Sequence, residues 1–358
     1  MSDEAYHVLR EVLDTIPNGF PSTTSGVEIK LLKKIFTEEE AALATKLKIR
    51  FESVSDIAAR TGINKRYLDE KLKEMARKGQ LFRFRIGEAS FYKLLPFVFG
   101  IYEFQQRRID KEFAELFEEY TEQAFGKEFF SHAPALMKVI PIGADVTPES
   151  TVEPYESVVK LIEGAKSWAV QNCICKKERG LLGHRCDKPM EVCLAFAPVE
   201  NVFDNWESGR AITKEEAYKI LKLSEEAGLV HMTSNTATGH IYICNCCKCC
   251  CGPLRSFRLV SKNAAARSNY VAVVDIDKCT ACGLCVDRCQ VNGVEVDDVA
   301  VIGDCIGCGL CASTCPAEAI RMAHRDRSDQ LDVPKDELEW FEKRARARGI
   351  NDSYKKLL

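Results

Sequence analysis

No stretch of about 18 apolar residues occurs in the 358-residue sequence, so no helical membrane span is expected and membrane insertion is excluded from the reading. A G-x-G-x-x-G turn after a strand, a G-x-x-x-x-G-K-[ST] loop and a flavin signature are all missing. Electrons are therefore not expected to arrive from a nicotinamide held on this chain. Charge of one sign is also lacking: with a net charge of -3 there is no global basic field to recruit nucleic acid. The opening MSDEAYHVLREVLDTI is acidic and amphipathic, unlike a basic stretch leading into an apolar leader core, and a cytoplasmic location is expected.

Cysteine, in contrast, is abundant at 18 residues. In a secreted chain this number would suggest disulfides; here the spacing suggests reduced thiolate ligands. Cys279, Cys282, Cys285 and Cys289 write C-x2-C-x2-C-x3-C, and Cys305, Cys308, Cys311 and Cys315-Pro316 write it again. Two-residue gaps let three thiolates of one tight loop cap three irons of a cube, while the fourth iron needs a thiolate from elsewhere. Structural zinc also uses paired C-x2-C units, but it leaves both x3-C extensions and the terminal Cys-Pro unexplained.

The double run resembles that of bacterial dicluster ferredoxins. The resemblance implies two 4Fe-4S clusters with an exchanged fourth ligand, one on Cys279, Cys282, Cys285 and Cys315, the other on Cys305, Cys308, Cys311 and Cys289. Gln290 departs from the pattern, because ferredoxins usually repeat the proline there. Gly283 and Gly309 are expected where backbone must approach inorganic sulfur.

Upstream, Thr37-Glu38-Glu39-Glu40 forms a capping box, Ser53 caps a second helix holding Ile57 and Ala58, and Asn64 caps a third with Leu68, Leu72 and Met75 on one face. Two alternating segments, LFRFR and SFYKL, follow around Gly87. This order looks like a winged helix-turn-helix. Lys65, Arg66, Lys71, Lys73, Arg77, Lys78, Arg83 and Arg85 would face DNA, but Asp69, Glu70 and Glu74 share the same helix, which makes protein docking the preferred reading. Phe113, Phe117 and Tyr120 have helical spacing and are expected in a packed connector. Pro134, Pro141, Pro148 and Pro154 then punctuate an extended linker.

The remaining cysteines cluster as well. Cys173, Cys175, Cys186 and Cys193 precede a helix capped by Thr213 and lined by Ala217, Ile220, Leu221 and Leu223, and Cys244, Cys246, Cys247, Cys249, Cys250 and Cys251 follow it. The first group closes one site alone, or the two groups interleave across the helix. One or two further iron-sulfur clusters are favoured over structural zinc and over a thiol-disulfide site, since clusters would continue an electron path. His231 is the best histidine candidate for metal or proton chemistry; Lys176, Lys177, Arg179 and Arg185 surround the first group.

The arrangement resembles 4Fe-4S dicluster proteins of anaerobes, in which a winged-helix region, the segment Pro96 to Phe104, a C-I-C-K motif and an N-C-C-x-C-C-C-G motif precede a ferredoxin module. The expected class is an α+β multidomain protein. Its parts are an N-terminal helical segment (1–36), a winged helix-turn-helix (37–98), a helical connector and linker (99–153), a cysteine-rich metal-binding domain (154–262), a ferredoxin-like dicluster module (263–325) and a helical tail (326–358). The expected function is single-electron relay between a low-potential donor and a partner oxidoreductase. The alternatives are a reductase acting at the upstream cysteines, and a redox-sensing winged-helix regulator. The expected partners are a ferredoxin or an oxidoreductase subunit, with DNA the lesser possibility.

Overall fold

The computed structural model describes residues 3–142, 157–204, 206 and 208–358. The expected linker prolines Pro148 and Pro154, and the boundary between 153 and 154, lie outside the described residues. Helices α1 (Glu4–Thr15), α2 (Val27–Ile35) and α3 (Glu38–Ala44) lead into β1 (Glu52–Ser53), α4 (Val54–Thr61), α5 (Lys65–Arg77), β2 (Phe82–Ile86) and β3 (Ala89–Lys93). The three strands form an antiparallel sheet in the order β1-β3-β2. Reciprocal capping boxes at Thr37/Glu40 and Ser53/Asp56 fix the starts of α3 and α4, and the Asn64 side chain accepts from the Arg66 and Tyr67 amides at the start of α5. Leu68, Leu72 and Met75, spaced three or four apart, are buried together.

The connector holds α6 (Lys111–Tyr120) and α7 (Gly126–Ser131). Its aromatic residues pack as core: the Phe117 ring stacks on Tyr102 at 4.2 Å, and Phe125 stacks on Tyr120 at 5.4 Å. The stretch after α7 is not all linker, since β4 (Met137–Ile140) is fully buried and pairs with a strand nearly a hundred residues away. Next come α8 (Val158–Glu163), β5 (Ser167–Asn172), α9 (Ile174–Leu181), β6 (Glu191–Ala197), β7 (Arg210–Ile212), α10 (Lys214–Glu226), β8 (Val230–Ser234), β9 (Tyr242–Cys246) and α11 (Gly252–Leu259). Together with β4 the strands make a six-stranded antiparallel sheet in the order β4-β8-β9-β6-β5-β7. On α10, Ser224 takes the buried position and Leu223 is exposed, because the face set by Ala217, Ile220 and Leu221 returns at residue 224.

The last third contains β10 (Tyr270–Val274), α12 (Leu284–Arg288), β11 (Val294–Val296), β12 (Ala300–Ile302), α13 (Leu310–Ser313), β13 (Ile320–His324) and α14 (Glu337–Ala347). Strand β10 pairs with β13, and β11 with β12. The tail then returns to the beginning. The Ile49 amide donates to the Leu357 carbonyl at 2.8 Å, and Arg348 pairs with Asp14 at 2.8 Å and Glu128 at 2.6 Å. One apolar core accordingly runs from α1 through the connector and the cysteine-rich sheet to Trp340, Phe341 and Tyr354.

Arg344, fully buried on α14, donates to the carbonyls of Phe129, His132 and Pro134 at the end of α7. Replacing it with alanine leaves those acceptors without a donor, at roughly 1–3 kcal/mol for each one that water cannot reach. R344A should therefore lower the thermal unfolding midpoint by several degrees in differential scanning calorimetry, whereas alanine at exposed Lys355 should leave it unchanged.

Candidate metal centres

The two helical turns that carry the third cysteine of each run, α12 and α13, are preceded at their N-caps by Gly283 and Gly309, both left-handed with φ of 79° and 80°. At Gly309 the close neighbour is protein backbone: a Cβ there would lie 2.5 Å from the Ile142 carbonyl, so a bare backbone is required. The Ile142 amide in turn donates to the Cys308 carbonyl at 2.9 Å, tying the segment after β4 to the second run.

Cys279, Cys282, Cys285 and Cys315 line one cavity, walled by apolar Val296, Ala300 and Ile320. Cys289 belongs elsewhere. Its charge, with those of Cys305 and Cys311, bears on Cys308, and burial first and these neighbours second push the Cys308 and Cys311 thiols up, Cys311 to about 12. The fourth cysteine of each run thus stands beside the first three of the other. Backbone amides already point at sulfur: Gly293 donates to Cys289 at 3.1 Å, and Ala300, Gly307 and Ala319 donate to Cys279, Cys305 and Cys315 at 3.3 Å. A cavity among four thiols, ringed by amides aimed at sulfur, suits a thiolate-held cluster of low charge density.

The upstream cysteines are gathered by strand register. Leu194 pairs with Ile243 and Ala195 with Tyr242, so one further step sets Cys193 of β6 opposite Cys244 of β9, with Cys246 two residues on along the same face. Cys173 and Cys251 are the N-caps of α9 and α11, so both sulfurs sit at the positive ends of these helices. Cys175 and Cys193 are electrostatic neighbours of Cys173, Cys244 of Cys193, Cys246 of Cys244 and Cys251 of Cys246. Six thiols form one string. Within it, hydrogen bonds from Cys175 and Cys193 hold Cys173 well below the usual thiol range, while the others are pushed up by giving the hydrogen bonds and by burial.

The other four upstream cysteines, Cys186, Cys247, Cys249 and Cys250, form a separate knot whose sulfurs all lie within 4.8 Å of one another. Of the two sequence-based arrangements, the structure adopts interleaving: Cys186 leaves the first group and joins the later run. The buried Lys176 ammonium, donating to the Pro189 carbonyl at 2.6 Å, favours the thiolates of both Cys173 and Cys247. Its neighbours Arg179 and Lys177 are engaged elsewhere, with Glu118 at 2.8 Å and with the Gln106 carbonyl.

The structure gives roles to several residues around these thiols that the sequence alone did not assign. The segment Pro96 to Phe104 packs over the six-thiol string: Tyr102 feels the charges of Cys175 and Cys173, and burial pushes the Glu103 carboxyl up to about 8, in the field of Cys173. Tyr242, stacked on Phe99 at 5.7 Å, feels Cys244 and Cys246. His231 is a cross-strand partner of Asn245, Nδ1 to Oδ1 at 2.5 Å, and burial holds its pKa down at about 4, so a neutral ring braces β8 against β9. Gln290 receives the Lys248 amide at 2.9 Å, while the Lys248 ammonium donates to the Cys289 carbonyl at 3.2 Å. The position where ferredoxins carry proline is thus a contact between the cysteine-rich loop and the double run.

Residues 272–295 and 302–321 match the 4Fe-4S binding domain. The chain therefore carries a ferredoxin-type iron-sulfur module. No curated protein and no solved structure matches it. Among the described residues no helix is long and apolar enough to cross a membrane.

Glu118 of α6 pairs with Arg179 of α9 at 2.8 Å and with Arg255 of α11 at 2.7 Å, bolting together the two helices whose first turns meet the six-thiol string. Glu118→Gln leaves two mostly buried guanidiniums without a counter-charge, a loss of about 3 kcal/mol. Anaerobically prepared E118Q should lose metal from the upstream cysteines faster on chelator challenge than the parent, with the absorption of the ferredoxin-type module unchanged.

Proposed function

We propose that this protein is an electron-transfer protein that relays single electrons between a low-potential donor and a partner oxidoreductase. One 4Fe-4S cluster is held by Cys279, Cys282, Cys285 and Cys315 and a second by Cys305, Cys308, Cys311 and Cys289. A further iron-sulfur cluster is held among Cys173, Cys175, Cys193, Cys244, Cys246 and Cys251. Bound clusters supply reversible one-electron chemistry at low potential. The chain's own part is to hold the thiolates, aim amides at their sulfurs and keep water from the inner sites.

The observation that carries this reading is the contact of Lys248 with Cys289 and Gln290, which puts a ligand of the second ferredoxin set against the loop that follows Cys246. It gives the path a direction in space. The first set is the outer one: Cys282 is exposed, beside exposed Ile276, Leu284 and Val286, an apolar rim suited to transient docking of a redox protein. The second set is the inner one, followed by the six-thiol string. A reducing compartment, the cytoplasm in this proposal, keeps the thiols available as ligands.

The winged-helix reading of residues 37–98 belongs to this proposal as a docking module. Lys71 pairs with Glu39 at 2.8 Å, Lys73 with Asp69 at 2.7 Å and Lys78 with Glu40 at 2.6 Å, so much of the basic surface expected to face phosphate is already answered by carboxylates. Changing Lys65 and Arg66 together to alanine should leave iron content and reducibility unaltered. Tight, sequence-selective DNA binding by the parent that disappears in this variant would favour the regulator instead.

Iron and sulfide determination on anaerobically purified protein is the direct test. About twelve inorganic sulfides per chain accord with two ferredoxin clusters and one upstream; about eight would confine clusters to the module and end the upstream relay. Leu284→Glu should slow reduction by an external low-potential ferredoxin several-fold in stopped-flow absorbance, with sulfide content unchanged.

A further inference from the structure

The knot of Cys186, Cys247, Cys249 and Cys250 differs from the ferredoxin sets in scale. Four of its sulfur-to-sulfur separations are 3.9 Å for Cys186 to Cys247, 3.6 Å for Cys186 to Cys249, 3.3 Å for Cys247 to Cys249 and 3.6 Å for Cys249 to Cys250. A single ion bound tetrahedrally by thiolates at about 2.3 Å sets its sulfurs about 3.8 Å apart. In a cubane each thiolate stands outside its own iron, and this spreads four ligands well beyond the 4.8 Å that encloses all four sulfurs here.

We propose that Cys186, Cys247, Cys249 and Cys250 form a mononuclear tetrathiolate site for one zinc or iron ion, separate from every iron-sulfur cluster of the chain. Cys247 and Cys250 have the C-x2-C spacing that wraps a single ion, and the Cys250 and Cys251 amides donate to the Cys247 carbonyl at 3.4 and 3.0 Å, closing the turn that brings the Cys250 sulfur back beside that of Cys247. The Lys176 ammonium offsets part of the charge of four thiolates on a divalent ion. Four protein sulfurs complete the coordination, so the centre is structural and offers no position to substrate. Its place in the chain gives it a mechanical task. It clasps the loop between α9 and β6, which supplies Cys186, to the loop after β9, and so holds Lys248, which sits between two of its ligands, against Cys289 and Gln290.

The site also divides the ten upstream cysteines into four for a single ion and six for cluster chemistry. It does not rest on the relay reading: a zinc clasp stands whether or not the six-thiol string binds a cluster.

The test uses the full chain purified anaerobically after growth with zinc and with iron-57. Zinc K-edge X-ray absorption showing a single shell of four sulfurs at about 2.3 Å and no metal-metal scattering supports the proposal in its zinc form, and a Mössbauer component from one high-spin ferrous tetrathiolate supports it in its iron form. Cys249→Ser, at the exposed corner, should lose about one metal equivalent with inorganic sulfide unchanged. Loss of about four irons together with four sulfides in that variant assigns the knot to a cluster and overturns the proposal. Absence of both mononuclear signatures from the parent protein overturns it as well, and this spectroscopy decides the matter even if the variant fails to fold.

Discussion

Thiolates gathered in a protein interior repel one another, and each sulfur that ionises makes the next harder to ionise. In the six-thiol string one sulfur, Cys173, is favoured as thiolate and its neighbours are pushed toward the protonated form. The surrounding architecture answers that repulsion. Two helices begin on the string with their positive ends at it, a buried lysine bears on both the string and the four-sulfur knot, and Glu118 fixes the arginines that keep both helices in place. A bound cation takes over the role of the protons, so loading is coupled to proton release and to completion of the fold.

The same demand explains why the largest of the three apolar cores draws on every part of the chain. The sheet that carries Cys193, Cys244 and Cys246 borrows its edge strand from the connector, and the C-terminal helix is tied to the connector through Arg344 and to the first helix through Arg348. Cysteine loops are short of apolar surface and cannot stabilise themselves by burial alone. Here they lean on a core that reaches from α1 to Tyr354.

Local signals were legible in the sequence, because capping boxes, helix faces and cysteine spacing are written within a few residues of each other. Thr37, Ser53, Asn64 and Thr213 cap as their motifs suggest, and the two ferredoxin runs were visible as a repeated string. The partition of the upstream cysteines was not, since it depends on the pairing of β6 with β9 and on a loop that carries Cys186 away from its sequence neighbours. Strand β4 was hidden among prolines for a similar reason: its partner β8 is remote in sequence, and nothing local distinguishes a buried edge strand from a linker. Leu223 shows the limit of counting apolar residues without the helical angle, as the smaller Ser224 lies on the packed face.

Lys248 has a consequence for how charge accumulates. Its amide and its ammonium both reach across to the segment that bears Cys289, so a cation stands at the junction between two groups of sulfur ligands. Negative charge added on either side is attracted by that cation, which offsets part of the repulsion between the two sides. Each addition of negative charge is therefore easier than it would be without the cation, whichever side takes it. A proline in the place of Gln290 would have no side-chain acceptor for the Lys248 amide, and the cation would be held less firmly at the junction, so that charge on either side would be less well compensated.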